Sequence, residues 1–194
     1  MKLALLALGS YLLGSIPFAY IFARLFKGVD IRRVGSGNVG TVNVFKSVGI
    51  IPGALTGIAD FGKGMLAVML ARFSSCDMPS AALLAVLCAM IGHNWPIWLS
   101  FEGGGGLATF GGGLIMLSAS SALLLLGLWG ASYAFTRHKY LSSVFTCFSI
   151  PVCLGIYEGS WTYFIFGFSM GLTLAFKQIL AWIRYGRAQV GEVS

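Results

Sequence analysis

Two glycine-rich segments and one pair of opposite charges hold the residues of this chain that could do chemistry. The first segment reads Gly35-Ser36-Gly37-Asn38-Val39-Gly40-Thr41-Val42-Asn43-Val44-Phe45-Lys46. Glycines let consecutive backbone amides turn into one concavity, and such a nest binds phosphate. Ser36, Asn38 and Asn43 add neutral donors, and Lys46 adds positive charge. The competing reading is a tight polar turn between two apolar runs, and composition weighs the two evenly. A formal G-x-G-x-x-G lies within the segment. A dinucleotide fingerprint, however, needs a buried strand before it and a βαβ unit around it. Here Asp30, Arg32 and Arg33 precede it and apolar runs flank it, so that reading is set aside.

The second segment is Gly103-Gly104-Gly105-Gly106, leading into Leu107-Ala108-Thr109. Glycines before an apolar helix expose its free N–H groups and positive dipole end, where an anion can dock. Residue type alone slightly favours a hinge, with Gly111-Gly112-Gly113 packing against a neighbouring helix. Glu102 beside the cluster also speaks against a strong anion site. Asp60 and Lys63 lie in an apolar run at i, i+3, a spacing that lets them face each other. Ionisable residues inside a span are a functional hypothesis by default, but a structural ion pair is favoured here. His93 precedes Asn94 and Pro96; it reads equally as a base or as a hydrogen-bonded residue at a proline kink. His138, beside Arg137 and Lys139, reads as solvated. Cys76, Cys88, Cys147 and Cys153 form no C-x-x-C pair; they read as small buried hydrophobes, with no disulfide framework or metal site.

The elements that must position these residues follow from composition. The chain has 194 residues, 57% hydrophobic and only 10% charged, with a mean hydropathy of +0.85. A soluble domain carries roughly 25% charged residues. Too little polar surface exists here to coat a water-soluble globule, which excludes a cytosolic enzyme, a secreted domain and a disordered chain. The expected fold is all-α: a single membrane domain, 1–194, of about seven transmembrane helices with short loops. Apolar runs cover about 3–26, 48–71, 80–101, 107–135, 141–157 and 161–183. The first follows a lone Lys2 but is too long for a signal-peptide core. The fourth would reach about 43 Å as one helix, against a hydrocarbon core of about 30 Å. A polar break at Ser118-Ala119-Ser120-Ser121 divides it into two segments, one of them short.

Charge orients the spans. Arg24, Lys27, Arg32, Arg33, Lys46, Arg137, Lys139, Lys177, Arg184 and Arg187 gather on one side, against Lys2 and Arg72 on the other. The positive-inside rule then places the N-terminus outside and the C-terminus in the cytoplasm. The cytoplasmic segments become about 27–47, 102–106, 136–140 and a tail, 184–194. Trp95, Trp98, Trp161 and Trp182 fall near span ends, as an aromatic belt requires. The net charge of +7 suggests anionic partners, either lipid headgroups or a phosphorylated substrate.

These motifs together resemble a family. Gly35-Ser36-Gly37-Asn38 with Asn43 looks like the first motif of the bacterial acyl-phosphate:glycerol-3-phosphate acyltransferases. Asp60-Phe61-Gly62-Lys63-Gly64 resembles the family's D-F-x-K-G. Gly92-His93 and Pro96, followed by Gly103-Gly104-x-Gly106 and Ala108-Thr109, resemble its G-H-x-x-P…G-G-K-G-V-A-T. Length, motif order and expected topology match over nearly the whole chain. The resemblance implies a seven-span inner-membrane enzyme that moves a fatty acyl group from acyl phosphate to the sn-1 hydroxyl of glycerol 3-phosphate, giving lysophosphatidate and inorganic phosphate. It implies Ser36 and His93 as catalytic residues, and Gly37, Asn38, Asn43, Lys46, Gly103, Gly104 and Gly106 around phosphate. Asp60 and Lys63 would be a structural ion pair. The partners it implies are the two substrates and membrane lipids, without nucleic acid, metal, coenzyme A or other cofactor.

The chain departs from that pattern at several positions. Lys46 stands where the family has arginine, which keeps the charge but loses the bidentate fork. Gly105 stands for the lysine of G-G-K-G, and Glu102 for a lysine before it. The family's C-terminal R-H-x-x-N-I falls on Ala175-Phe176-Lys177-Gln178-Ile179-Leu180, without its His or Asn. Lys177 and Arg184 are the cations left in that region. Two alternatives therefore stay open: a catalytically impaired paralogue of the same fold, and a small transporter using Asp60, Lys63 and His93 as a polar pathway.

Overall fold

The structure, a computed structural model, describes residues 1–74 and 78–191, with side chains as far as 183. Cys76, the side chains of Arg184 and Arg187, and residues 192–194 of the expected tail lie outside the described residues. The described chain is all-α: α1 (Lys2–Ser15), α2 (Phe18–Lys27), α3 (Thr41–Ser47), α4 (Ile50–Phe73), α5 (Pro79–Asn94), α6 (Leu107–Leu117), α7 (Ala119–Thr136), α8 (Lys139–Glu158) and α9 (Trp161–Gly191). No strand occurs among the described residues, so the G-x-G-x-x-G has no βαβ unit around it. Six helical segments are long and apolar enough to cross a membrane, counting α1 with α2 as one, and α6 is a shorter apolar helix.

Helix ends follow local chemistry. The run 107–135 divides at Ser118, whose hydroxyl accepts the Ser121 N–H at 3.3 Å and so caps α7. The run 3–26 does not form one continuous helix: it breaks between Ser15 and Phe18. Pro17 lacks an N–H and pushes Ile16 into extended backbone, at φ −59 and ψ 114. The expected loop 27–47 is a folded segment, containing a 3-10 turn at Ile31–Arg33 and the short helix α3. The expected tail largely continues α9, which runs to Gly191.

Packing pairs α1 with α5, α4 with α6, and α8 with α9. Small residues set the closest of these approaches. A Cβ at Gly64 of α4 would strike the Thr109 carbonyl oxygen of α6, and one at Gly112 of α6 would strike the Phe61 carbonyl oxygen of α4. The two backbones therefore touch, as membrane helices do when packing rather than the hydrophobic effect holds them together. Val68, Val86, Met90, Leu114, Ile150 and Leu174 form the centre of the core. Leu5, Phe73, Leu123, Phe135 and Ile156 point outward, a surface suited to lipid rather than water. Trp98 and Trp161, near helix ends, are exposed. Cys147 and Cys153 are buried free thiols and Cys88 is half-buried, consistent with their reading as small hydrophobes.

Candidate functional site

Asn43 organises the first glycine segment. Its Nδ2 donates to the carbonyls of Ile31 at 3.2 Å, Val34 at 3.0 Å and Asn38 at 3.0 Å. Its Oδ1 accepts from the Ser36 N–H at 3.0 Å and the Ser47 hydroxyl at 3.2 Å. The side chain expected beside phosphate is thus committed to the loop and leaves no donor for a ligand. Gly37 takes the left-handed φ of +68 that the turn requires. The hydroxyl of Ser36 and the ammonium of Lys46 are exposed. Asp30 closes the base of the loop. It accepts the Arg32 N–H and a bidentate guanidinium contact at 3.1 and 2.8 Å. That hydrogen bonding holds the Asp30 carboxyl down at about 2 and raises Arg32 above its ordinary value. Arg32 also lies 3.9 Å from Glu102, which links the two glycine loops.

Asp60, Lys63 and His93 form one buried cluster. Lys63 Nζ lies 2.9 Å from Asp60 Oδ1, with both side chains 2% exposed. Its Nζ donates to the carbonyls of Gly14 at 2.9 Å and Ile16 at 3.0 Å, and lies 3.2 Å from His93 Nδ1, which is itself 3.5 Å from Asp60 Oδ1. The Gly14 carbonyl is freed because the helix stops at the break in the first span, and the Ile16 carbonyl, which also accepts the Phe18 N–H at 3.1 Å, sits in the bend itself. A membrane interior supplies no water to satisfy them, so the buried ammonium does so. Asp60 balances its charge. The two charges pair with each other, which accounts for Asp60 and Lys63 structurally. The other ring nitrogen of His93, Nε2, faces Gly104 of the second glycine loop. A small cavity beside the cluster is lined by Pro17, Val39, Asp60, Lys63, His93 and Pro96 among others.

The second glycine loop closes over the same histidine. The Gly104 N–H donates to the His93 carbonyl at 3.2 Å. A Cβ at Gly104 would strike His93 Nε2 and the Val39 carbonyl. His93, Val39 of the first loop and Gly104 of the second therefore meet at one point. From α9, Lys177 Nζ donates to the Asn94 carbonyl at 2.7 Å and the Gly103 carbonyl at 3.4 Å. It also lies 5.1 Å from the centre of the Trp95 ring. Phe176, where the resemblance expects histidine, stacks toward Trp95 at 6.3 Å. Lys177 was one of two candidate cations in the sequence, and the structure brings it to the loop. Gln178 and Asn94 carried no sequence signal as site residues, yet both are buried against the glycines.

Residues 4–186 match the family model described as glycerol-3-phosphate acyltransferase. A glycerol-3-phosphate acyltransferase of Desulforamulus reducens is 38% identical over 163 residues, covering 84% of this chain and 80% of its own length. One from a Synechococcus species is 43% identical over 163 residues, with 84% and 80% covered. The crystal structure of PlsY (YgiH), an integral membrane glycerol 3-phosphate acyltransferase in its glycerol 3-phosphate form, superposes with a TM-score of 0.84 at 30% identity. The match covers 97% of this chain and 94% of that one. The lysophosphatidic acid form of PlsY superposes at a TM-score of 0.82 and 29% identity, over 97% and 93% of the two chains. On matched length, identity and shared fold, this chain belongs to the glycerol-3-phosphate acyltransferase family of membrane proteins.

Proposed function

We propose that this protein is a membrane glycerol-3-phosphate acyltransferase, moving an acyl group from acyl phosphate to the sn-1 hydroxyl of glycerol 3-phosphate. The observation that carries this reading is the meeting of both glycine loops at His93, which brings two potential phosphate cradles to one reacting point.

The chemistry asks little covalent work of the protein. An acyl phosphate is already activated. The sn-1 oxygen attacks the acyl carbon, a tetrahedral oxyanion forms, and the bond from that carbon to the phosphate oxygen breaks. Phosphate leaves with the bonding electrons, and the proton of the attacking hydroxyl ends on it. What remains is to bring hydroxyl and carbonyl together and stabilise charge. In this reading His93 Nε2–H donates to the developing oxyanion. The Ser36 hydroxyl, the Gly37 amide, the Asn38 side chain and Lys46 bind one phosphate. Gly103, Gly104 and Gly106 shape the other. Asn43 acts by holding Ser36 and Asn38 in place.

The membrane setting follows the charge distribution. The N-terminus faces outward and the basic segments 27–47, 102–106 and 136–140, with the C-terminal end, face the cytoplasm. In a bacterial inner membrane this puts soluble glycerol 3-phosphate and a lipidic acyl donor at the same surface. The whole chain, 1–194, works as one membrane domain among lipids.

Purified protein given acyl phosphate and labelled glycerol 3-phosphate should form lysophosphatidate and release phosphate. A yield no higher than that of a Ser36→Ala control, in a detergent where a PlsY relative works, overturns this reading.

A further inference from the structure

The start of α6 has the features of an anion site, and its cation comes from elsewhere in the chain. α6 is eleven residues long, begins after Gly106 at φ +79, and has neither a side-chain cap nor an acidic residue in its first turn. Its leading N–H groups therefore carry the positive end of the helix dipole. Beside them lies Asn94, which is 0% exposed. Neither its Nδ2 nor its Oδ1 finds a partner among the described residues. Its amide points at Gly106, where a Cβ would meet Asn94 Oδ1. The hydroxyl of Thr109, in the first turn of α6, is likewise buried without a partner. Buried polar groups are almost always satisfied, so a cluster of orphans at a helix N-terminus calls for a ligand.

Only one residue of the loop has room for a side chain of its own. Cβ atoms at Gly103 and Gly104 would strike backbone carbonyls, and Gly106 needs its left-handed φ. At Gly105 a Cβ would come no closer than 3.1 Å, to the movable Nε2 of Gln178. That open position carries no charge. The ammonium at this loop is instead that of Lys177, held by the Asn94 and Gly103 carbonyls. Glu102 does not offset it locally, since its carboxylate faces Arg32.

We infer that Lys177 of α9 supplies the positive charge of a phosphate subsite formed by the N-terminus of α6, the glycines 103–106 and the buried amide of Asn94. This rests on the acyltransferase reading for its ligand, which is the phosphate group of either glycerol 3-phosphate or acyl phosphate. The lysine acts as a point charge across the loop rather than as a fork. A cation borne on a separate helix ties the subsite to the packing of α9 against α5.

The test uses the full chain in detergent with inorganic phosphate, glycerol 3-phosphate and acyl phosphate. The variants are K177M, K177R, the double variant K177M/G105K, and N94D, which puts a carboxylate in the anion site without changing side-chain size. In wild type, phosphate raises the thermal midpoint. K177M and N94D are expected to lose that rise, while K177R keeps it and K177M/G105K regains part of it. K177M is also expected to raise KM at least tenfold for one phosphorylated substrate and leave the other within twofold; the substrate affected identifies the ligand. A phosphate-dependent rise undiminished in K177M or N94D, with both KM values within twofold of wild type, overturns the inference. Should K177M not survive purification, N94D decides by the same readings. The phosphate-dependent rise is measured without turnover. A wild type that binds phosphate but forms no lysophosphatidate therefore fails the acyltransferase reading alone.

Discussion

Lys63 Nζ lies 3.2 Å from His93 Nδ1, and Asp60 Oδ1 lies 3.5 Å from the same nitrogen. An ammonium can only donate, so the shorter of the two contacts is a hydrogen bond when Nδ1 accepts and Nε2 carries the proton. In that tautomer His93 is a donor through Nε2, which faces Gly104, rather than a base. Nitrogen-15 spectra of selectively labelled protein should show a protonated Nε2 and a bare Nδ1, and the reverse pattern would refute the assignment. His93→Ala should lower kcat by about a hundredfold, the usual cost of one oxyanion donor, with a smaller change in KM.

The Asp60–Lys63 pair should behave as a unit. Removing one member leaves the other charged and buried, at a cost of about 3–5 kcal/mol. Lys63→Met alone is therefore expected to lower the thermal midpoint sharply, and Asp60→Leu combined with Lys63→Met to recover part of the loss. A double variant as unstable as the two losses added together would contradict the pairing.

Asn43→Ala removes a side chain with five hydrogen-bond contacts inside the first loop. Each such bond contributes about 1 kcal/mol, more where a buried partner is left unsatisfied. Faster proteolysis between residues 28 and 47 is expected, along with a fall in activity. Asn38→Ala should reduce activity without that proteolytic change. Equal protection of the loop in Asn43→Ala and wild type would remove Asn43 from its organising role.

Neighbouring glycines should differ. Gly106→Ala forces a side chain into left-handed backbone, at about 1–2 kcal/mol, and crowds Asn94. Gly105→Ala should change stability by no more than about 0.5 kcal/mol. Chemical unfolding of the two variants side by side would settle the contrast, and equal losses would count against the loop geometry.

Asp30 gives the first loop a pH dependence. Its carboxyl is held at about 2 in the folded loop by hydrogen bonding to Arg32, against about 3.9 in an unfolded chain. A depressed pKa contributes stability above the unfolded value, and that contribution is lost as pH falls from about 4 toward about 2. Protease protection of residues 28–47 should therefore hold at pH 5, weaken near pH 3 and be lost below about pH 2. Asp30→Asn should show weaker protection already at pH 7, and unchanged protection there would refute the linkage.

Much of the fold was legible because membrane spans are signalled by composition. The division at Ser118 could be read from length against bilayer thickness. The break at Pro17 was not, since hydropathy sums smoothly across it and hides a change in backbone. The site was legible as a set of residue types but not as roles. Asn43 as a ligand donor and Asn43 as a loop organiser look identical in sequence. The reach of Lys177 to the Asn94 carbonyl spans 83 residues, and no local pattern encodes such a contact. The Arg32–Glu102 approach explains why an acidic residue is accommodated at 102: it meets a guanidinium of the other loop.

The broken first span also sets an order of assembly. Gly14 and Ile16 enter the bilayer with acceptors whose donor, Lys63, is synthesised 49 and 47 residues later. Until α4 arrives, the Gly14 carbonyl lacks that donor and the Ile16 carbonyl has the Phe18 N–H at 3.1 Å. Insertion of α4 brings that donor, with Asp60 and Lys63 as a neutral couple, and α5 then packs along α1. A nascent chain arrested before Lys63 should leave residues near 16 open to a water-borne thiol reagent placed there by cysteine substitution, and one arrested after α4 has emerged should close them.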